Sequence, residues 1–322
     1  MRRMKREVDG RRWGGFIPCV AIVMLMTGGV CGRAMAQEKG QKTFSSAEDA
    51  SEAFWKASQS NDEKALIEII GPSAKEIISS GDDAQDAKHR MNFVKRYEEM
   101  HRLFKEPDGT TTLYVGAQNW PLPIPLVNKG EVWYFDGAAA KQEILFRRVG
   151  RNEISAIRVL QELAAAQKEY FTAEQVYAAK IMSDAGQKDG LYWQVGEDQP
   201  KCPIGPRVAF ADAGSVSGAK LEPFRGYYFR VLTAQGKDAP GGAKSYMEDG
   251  KMKGGFAFIA YPVEYRSSGV MTFVAGNDGA VYEKDLGKKT ESEAKAMKAY
   301  DPDSTWHKAQ YEQDAMNTQA TK

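Results

Sequence analysis

The chain has 322 residues, 42% of them hydrophobic, with 44 basic and 43 acidic side chains and a formal charge of +1. Neither this balance nor any local run of Lys and Arg supplies the basic face with which a nucleic-acid binder neutralises phosphates. We therefore expect no nucleic-acid partner.

The first 36 residues have the layout of an export signal. A basic start precedes the apolar segment "FIPCVAIVMLMTGGVCG", and Ala34 and Ala36 fit cleavage after small residues. We predict a signal peptide over residues 1–36, a mature chain beginning at Gln37, and a periplasmic or secreted location. The apolar segment is short against the roughly 20 residues that cross a bilayer, so no transmembrane anchor is expected after cleavage. An uncleaved anchor and a twin-arginine signal remain alternatives.

Removal of the signal leaves 286 residues, enough for one large or two ordinary domains. The mature chain has 37 basic and 41 acidic residues, a formal charge of −4, and one cysteine, Cys202. A single cysteine excludes an intramolecular disulfide, and without a histidine nearby in sequence it is typical of a small apolar filler. The three histidines show no metal-ligand spacing, so no metal and no cofactor are expected.

After a linker over residues 37–43, helical periodicity predicts three helices. The first begins at a capping pair, Ser45 and Glu48. The second spans residues 61–70 and stops at a Gly-Pro pair, and the third spans residues 83–104.

Strand-like segments follow the helices: "TTLYVGA", "NWPLPIPLV" and "EVWYFD". Proline cannot donate to a ladder, so the middle segment is an edge or a loop that can rim a pocket. Together with the helices, these strands predict an N-terminal α+β domain over residues 44–149.

The second half is predicted to be one domain over residues 150–308, with a disordered tail over residues 309–322. A long helix begins near Gly150, and "GYYFRVLTA", "GFAFIAYP" and "GVMTFVAGNDGAVYEKD" alternate as strands do. The last segment contains a hairpin turn at residues 277–279. Strands this close in sequence favour an antiparallel meander.

Candidate binding residues in the first domain are His101, Trp120, Trp133 and Asp136. Ligand sites combine aromatic side chains with a few polar groups, and these four would line one pocket. Core packing accounts for the tryptophans as well. The helical period places His101 on the buried side of the third helix, where an imidazole held by a backbone partner is the structural alternative to a pocket base.

A basic cluster, "FRRVGRNE", precedes the second long helix and contains Arg147, Arg148 and Arg151. Arginine forks bind carboxylates or phosphates through two contacts. The cluster is therefore a candidate for binding an anion or for an interdomain contact. A solvated charge run or a salt-bridged joint between domains is the alternative.

From about Phe44 to Trp306, the motifs "NWPLPIPLV", "EILFRRVGRNEISAI", "FRGYYFRVLTAQG", "GGFAFIAYPVEY" and "DPDSTW" resemble those of an uncharacterised bacterial family, domain of unknown function 2950. The resemblance implies an exported envelope protein. It brings no catalytic residues with it.

Two further resemblances concern single domains. Residues 44–140 are similar to the nuclear transport factor two-like cone, in which helices cover a curved sheet. The second half resembles the globular part of type IV pilin-like proteins, with Gly226, Tyr227 and Phe229 among the matching positions. The apolar segment through which pilins form filaments is absent before Gly150, so filament assembly through it is not expected.

We therefore predict an α+β protein: a helical and β-sheet domain of the pocket type, followed by a long helix packed on a C-terminal antiparallel, pilin-like sheet. The function expected is a non-catalytic binding or assembly module of the envelope. A small-ligand carrier or an enzyme built in the first-domain pocket is the alternative. Envelope proteins or a small ligand are the corresponding partners.

Overall fold

The structure is a computed structural model that describes residues 37–79, 82–184, 186–193, 203–204 and 223–309. The predicted signal peptide, Cys202 and nearly all of the predicted tail lie outside these ranges. Helices and several antiparallel sheets make up the fold, with a long helix ahead of a C-terminal sheet. The predicted α+β class is confirmed.

The α-helices within these ranges are α1 (Ala47–Gln59), α2 (Glu63–Ile70), α3 (Lys75–Ile78), α4 (Asp83–Glu99), α5 (Gly137–Glu174) and α6 (Thr290–Ala296). The strands of the first half are β1 (His101–Lys105), β2 (Thr111–Val115), β3 (Trp120–Pro121), β4 (Leu126–Lys129) and β5 (Val132–Phe135). Those that follow are β6 (Lys180–Met182), β7 (Gly190–Tyr192), β8 (Tyr227–Leu232), β9 (Ala234–Gln235), β10 (Lys244–Ser245), β11 (Met247–Glu248), β12 (Lys251–Met252), β13 (Ala257–Pro262), β14 (Thr272–Ala275), β15 (Val281–Lys284), β16 (Ala299–Tyr300) and β17 (His307–Lys308).

The first two helices begin at side-chain caps. Ser46 accepts a hydrogen bond from the Asp49 amide at 3.0 Å, so the cap lies one residue after the predicted Ser45. Asp62 caps α2 in the same way, and α2 ends at Ile70, before its C-cap Gly71, as predicted. Such caps satisfy amides that have no partner within the helix.

Helix α4 is shorter than the sequence predicts, because it ends at Glu99 and not at residue 104. The amide of Gly116 donates to the carbonyl oxygens of Arg96 at 3.0 Å and Met100 at 2.8 Å. Gly116, which directly follows β2, thus adds a donor at the end of the helix, where the Arg96 carbonyl also accepts from the Met100 amide at 3.1 Å.

The residues after α4 form strand β1, which pairs with β2 from His101↔Val115 to Lys105↔Thr111. The prediction that placed His101 and Phe104 on the buried side of a helix is wrong, since both are exposed on β1. Strand pairing outweighs the helical period of this short segment.

The first sheet is antiparallel in the order β1-β2-β4-β5, with β3 paired to β2. The proline-rich segment contributes only the two residues of β3, which agrees with the predicted edge or loop. Helices α1, α2 and α4 pack with the inner face of this sheet around the first core. Its buried residues include Phe54, Leu66, Ile69, Ile70, Tyr97, Leu113, Val115, Leu126, Phe135 and Ala140.

Helix α5 begins at Gly137, so the predicted start near Gly150 is wrong. Asp136 caps it by accepting a hydrogen bond from the Ala139 amide at 2.9 Å. The helix has 38 residues, a length of about 57 Å at 1.5 Å per residue. The predicted domain boundary between residues 149 and 150 falls inside this helix. None of the helices in the described ranges is both long and apolar enough to cross a bilayer.

The second large sheet has the order β17-β15-β14-β13-β8, and every pair in it is antiparallel. The predicted meander is therefore confirmed. Helices α5 and α6 both pack against β13, and all six residues of β13 are buried. A strand covered on both faces is apolar throughout, which accounts for the "AFIAYP" sequence.

Residues 37–43, predicted as a linker, are bound to the first core through Gln41. This side chain is 6% exposed. Its Nε2 donates to the carbonyl oxygens of Ile69 at 3.1 Å, Ile70 at 2.8 Å and Phe135 at 2.6 Å. One amide thus satisfies buried carbonyls at the ends of both α2 and β5.

We expect Gln41→Ala to lower the free energy of unfolding by about 1–3 kcal/mol, because the buried carbonyls lose their donor. Urea denaturation of the mature chain measures this loss. Gln59→Ala is the matched control, since Gln59 is exposed and its side chain bonds, among the described residues, only to Glu98 at 3.3 Å. Its change should stay within about 0.5 kcal/mol. Equal effects of the two substitutions would contradict the anchoring role of Gln41.

Candidate functional site

Two of the sequence-predicted residues lie in one row at one end of the first sheet. His101 pairs with Val115 on one side of β2, and Trp120 pairs with Val115 on the other side. Because neighbouring strands lie about 4.8 Å apart, the backbones of His101 and Trp120 are about 10 Å apart.

Trp133 and Asp136 lie toward the opposite end of the sheet. Leu126 pairs with both Thr111 and Phe135, so the end of β5 is level with the start of β2. Val115, the residue between His101 and Trp120, is four residues further along β2, about 13 Å away. The four residues predicted to share one pocket therefore do not converge.

The imidazole of His101 is fixed by Tyr97. The two rings are stacked, with centroids 3.8 Å apart and planes 6° from parallel. His101 Nδ1 lies 2.9 Å from the Tyr97 carbonyl oxygen. A carbonyl only accepts, so Nδ1 carries the hydrogen and Nε2 is the acceptor of the neutral ring. The Tyr97 hydroxyl in turn accepts a hydrogen bond from Ser51 at 3.1 Å.

Trp120 lies between side chains of α4 and α5. The guanidinium carbons of Arg96 and Arg147 are 5.8 Å and 5.5 Å from the centroid of its ring. Cations at this distance are attracted by the negative face of an indole. We call Arg96, Trp120 and Arg147 the arginine–tryptophan cluster.

The two arginines of this cluster differ in what holds them. Arg147 donates from Nε to Glu143 at 2.7 Å and from Nη1 to the Pro121 carbonyl oxygen at 2.7 Å. Arg96 is exposed and makes no ion pair or side-chain hydrogen bond with any described residue. Gly116 has a backbone φ of +75°, which favours glycine, and the Arg96 side chain lies beside it at ordinary van der Waals distance.

The remaining arginines of the predicted basic cluster, Arg148 and Arg151, are exposed on α5. The two residues after them make the long-range contacts instead. Asn152 Nδ2 donates to the Ser268 carbonyl oxygen at 2.8 Å. The side-chain amide of Asn152, and not an arginine, therefore connects this part of α5 to the loop before β14.

Glu153 completes this contact. Its Oε1 accepts hydrogen bonds from the amides of Val270 at 2.8 Å and Met271 at 3.0 Å. These amides lie in the loop between β13 and β14, so a single carboxylate holds that loop on α5. This joint is built by hydrogen bonds between the side chains of Asn152 and Glu153 and backbone groups of the loop, and not by the arginines that the sequence suggested.

Trp133 and Asp136 have structural roles. Trp133 exchanges two backbone hydrogen bonds of 2.8 Å with Phe44. With its side-chain oxygen turned toward the indole, Asn128 accepts a hydrogen bond from Trp133 Nε1 at 2.9 Å. Asp136 is the cap of α5. Core packing, the alternative for the tryptophans, applies to both, since Trp120 and Trp133 are partly buried and packed against the first core.

A second group of titratable side chains lies where α5 meets the second sheet. Burial raises the pKa of Glu283, the nearby Glu153 carboxylate raises it further, and His307, its partner across β15 and β17, opposes the shift. Tyr227 donates to the Met271 carbonyl oxygen at 3.0 Å. Burial, followed by Glu153 and Glu283, raises the pKa of this hydroxyl as well.

A shallow depression of about 420 Å³ lies between α1 and α2. It contains none of the residues selected from the sequence, and its Lys56 is paired with Glu52 at 2.6 Å. Both partners are more than half exposed, and such pairs interact weakly. The depression therefore does not coincide with the side chains that are suited to bind a ligand, and the arginine–tryptophan cluster is the better candidate site.

Fold and site together define an α+β protein with an exposed cation–aromatic surface. Among the described residues, no three His, Cys, Asp or Glu side chains are grouped to hold a metal ion. The chain belongs to the family described as "Protein of unknown function (DUF2950)", which matches residues 41–309. No curated protein and no solved structure matches the chain. The family match begins at the buried Gln41 and ends at Ala309, whose amide donates to Val281 at 2.9 Å.

We expect Glu283→Gln to raise the midpoint of thermal unfolding at neutral pH. A carboxyl group whose pKa is raised by folding destabilises the folded state once it is ionised. The gap between variant and wild type should therefore narrow as the pH falls through the raised pKa and be closed below 4.5, the ordinary value for this group. Unfolding midpoints between pH 3 and pH 8, about the range of carboxylate titration, measure the effect.

Glu264→Gln is the control for this experiment, since Glu264 is an exposed carboxylate of the neighbouring loop. Its midpoint should follow that of the wild type across the pH range. A Glu283→Gln variant that is less stable than the wild type at neutral pH would contradict the prediction that ionised Glu283 destabilises the folded state.

Proposed function

We propose that the protein is an exported, non-catalytic binding or assembly module of the bacterial envelope. Its mature chain begins at Gln37, and its location is periplasmic or secreted. The observation that carries the proposal is the arginine–tryptophan cluster: an indole with two guanidinium groups over its ring, one of them exposed and without an anionic partner among the described residues. Trp and Arg are the residues that most often dominate binding surfaces.

The export half of this proposal is supported by the first 36 residues, with their basic start, apolar segment and small residues at the cleavage position. Family membership over residues 41–309 supports a folded part that begins after this signal. We also infer that the second half is pilin-like. A long helix packed on an antiparallel meander supports that likeness.

A carrier or enzyme using His101, Trp120, Trp133 and Asp136 together is not favoured by the register of the first sheet. The two pairs of residues lie toward opposite ends of the strands.

Helices that cover one face of the first sheet support a nuclear transport factor two-like arrangement.

The full-length chain expressed in a bacterial host should lose residues 1–36 and reach the envelope. N-terminal sequencing of the fractionated protein is expected to begin at Gln37, and the mature chain should co-sediment with isolated envelope fractions. A chain that lacks residues 2–36 is the control and should remain in the cytoplasm. An uncleaved product in the cytoplasm would overturn the export proposal, and mature protein that never co-sediments would overturn the binding proposal.

A further inference from the structure

We propose that the arginine–tryptophan cluster binds an anionic saccharide, meaning a sugar ring that carries a carboxylate or a phosphate. This inference rests on the proposed function, because it names the ligand class of a binding module in the envelope. Three properties of the cluster carry it: free guanidinium donors, a half-buried indole and an arrangement held by several elements.

The guanidinium groups retain most of their hydrogen-bonding capacity. An arginine has five N–H donors and no acceptor. Arg147 uses one on Glu143 and one on Pro121, and Arg96 uses none on any described residue. Free donors in a planar fork match the oxygens of a carboxylate or a phosphate. The missing partner of Arg96 is therefore an anion.

The local acidic side chains do not supply that anion. Glu143 is already bonded to Arg147 Nε at 2.7 Å. The Glu99 carboxylate lies near Gly116, where a Cβ would be 3.6 Å from its Oε2, yet Glu99 forms no ion pair with Arg96. One guanidinium charge of the cluster thus remains available.

The indole indicates that the ligand is more than a small anion. Trp120 packs against the first core and is half-buried, so part of its side chain remains exposed. A simple anion needs only the arginines, whereas a ligand that also has an apolar ring face gains area on the tryptophan. A sugar ring with an anionic substituent has both surfaces.

The cluster is positioned before any ligand arrives. Arg147 is bonded to the backbone of β3, the strand that contains Trp120, and its side chain is only 26% exposed. Arg96 projects from the last turn of α4, which the amide of Gly116 fixes against β2. Preorganised groups lose little conformational entropy on binding.

His101 extends this surface along the sheet. Its backbone lies about 10 Å from that of Trp120, a separation of two strands. With Nδ1 bonded to Tyr97, the exposed ring presents only Nε2. A chain of sugars long enough to contact both residues would gain a second polar contact there.

The experiment is a titration of the folded mature chain, residues 37–322, monitored by calorimetry. The probes are soluble glycan strands with muramic acid carboxylates, a polysaccharide with phosphate groups, and uncharged chitohexaose. We expect one of the charged probes to bind at least about tenfold more tightly than chitohexaose. A preference for the first identifies a carboxylate ligand, and a preference for the second identifies a phosphate ligand.

Variants locate the binding site. Trp120→Ala and Arg96→Ala should each lower the affinity for the charged probe by about tenfold or more. Arg96→Lys should lose most of the same affinity, because it retains the charge without the fork. Trp306→Ala is the matched control, as Lys284 lies over that ring at the similar distance of 5.8 Å. Trp306→Ala and Arg151→Ala should change the affinity by less than about twofold.

The outcomes separate this inference from the proposed function. Equal binding by wild type, Arg96→Ala and Trp120→Ala would overturn the assignment of the ligand to this cluster, even if the wild type co-sediments with envelope. Equal affinity for charged and uncharged glycans, or no binding of either charged probe, would overturn it as well. Arg96→Ala removes an exposed side chain, so its thermal midpoint should match that of the wild type and exclude misfolding.

Discussion

The fold depends on one helix that belongs to two hydrophobic cores. Helix α5 contributes Ala140 to the first core and Leu160 and Leu163 to the second, so its 38 residues join both sheets. Burial of apolar area drives each core, and a continuous helix between them is maintained by backbone hydrogen bonds at every turn. Asp136 fixes where this helix begins, directly after β5. The positions of Arg147 and of the second sheet therefore follow from the same rigid element.

Irregular segments are held on this frame by buried side-chain amides. Gln41, Gln167 and Gln235 are 6%, 0% and 8% exposed. Gln167 exchanges hydrogen bonds of 2.7 and 2.9 Å with the backbone of Ala178. Gln235 donates to two carbonyls of the following loop, at residues 240 and 242. Each amide has both donors and an acceptor, so it satisfies backbone groups that no strand or helix pairs.

Periodicity and turn residues were sufficient to predict the α+β class and the antiparallel meander. They failed where tertiary pairing decided the outcome. His101 continues the helical pattern of α4, but it pairs with β2 as the first residue of β1. Gly150 marks an apparent boundary because glycine costs about 1 kcal/mol inside a helix, yet α5 passes through it. Trp120 and Arg147 were selected by residue type, whereas Arg96 carries no sequence signal because the Gly116 contact that places it is long-range.

The spacing of residues along α5 explains how one short segment of this helix contacts both large sheets. At about 100° per residue, Arg151 follows Arg147 on nearly the same face, whereas Glu153 is rotated by about 240° from Arg147. Arg147 therefore contacts Pro121 of the first sheet, and Glu153 contacts Val270 and Met271 beside the second. In that second contact, Gly269 is required because a Cβ there would lie 2.0 Å from the Tyr227 hydroxyl. A rotation of this helix would have to break both sets of hydrogen bonds, so the cluster and the loop are positioned together.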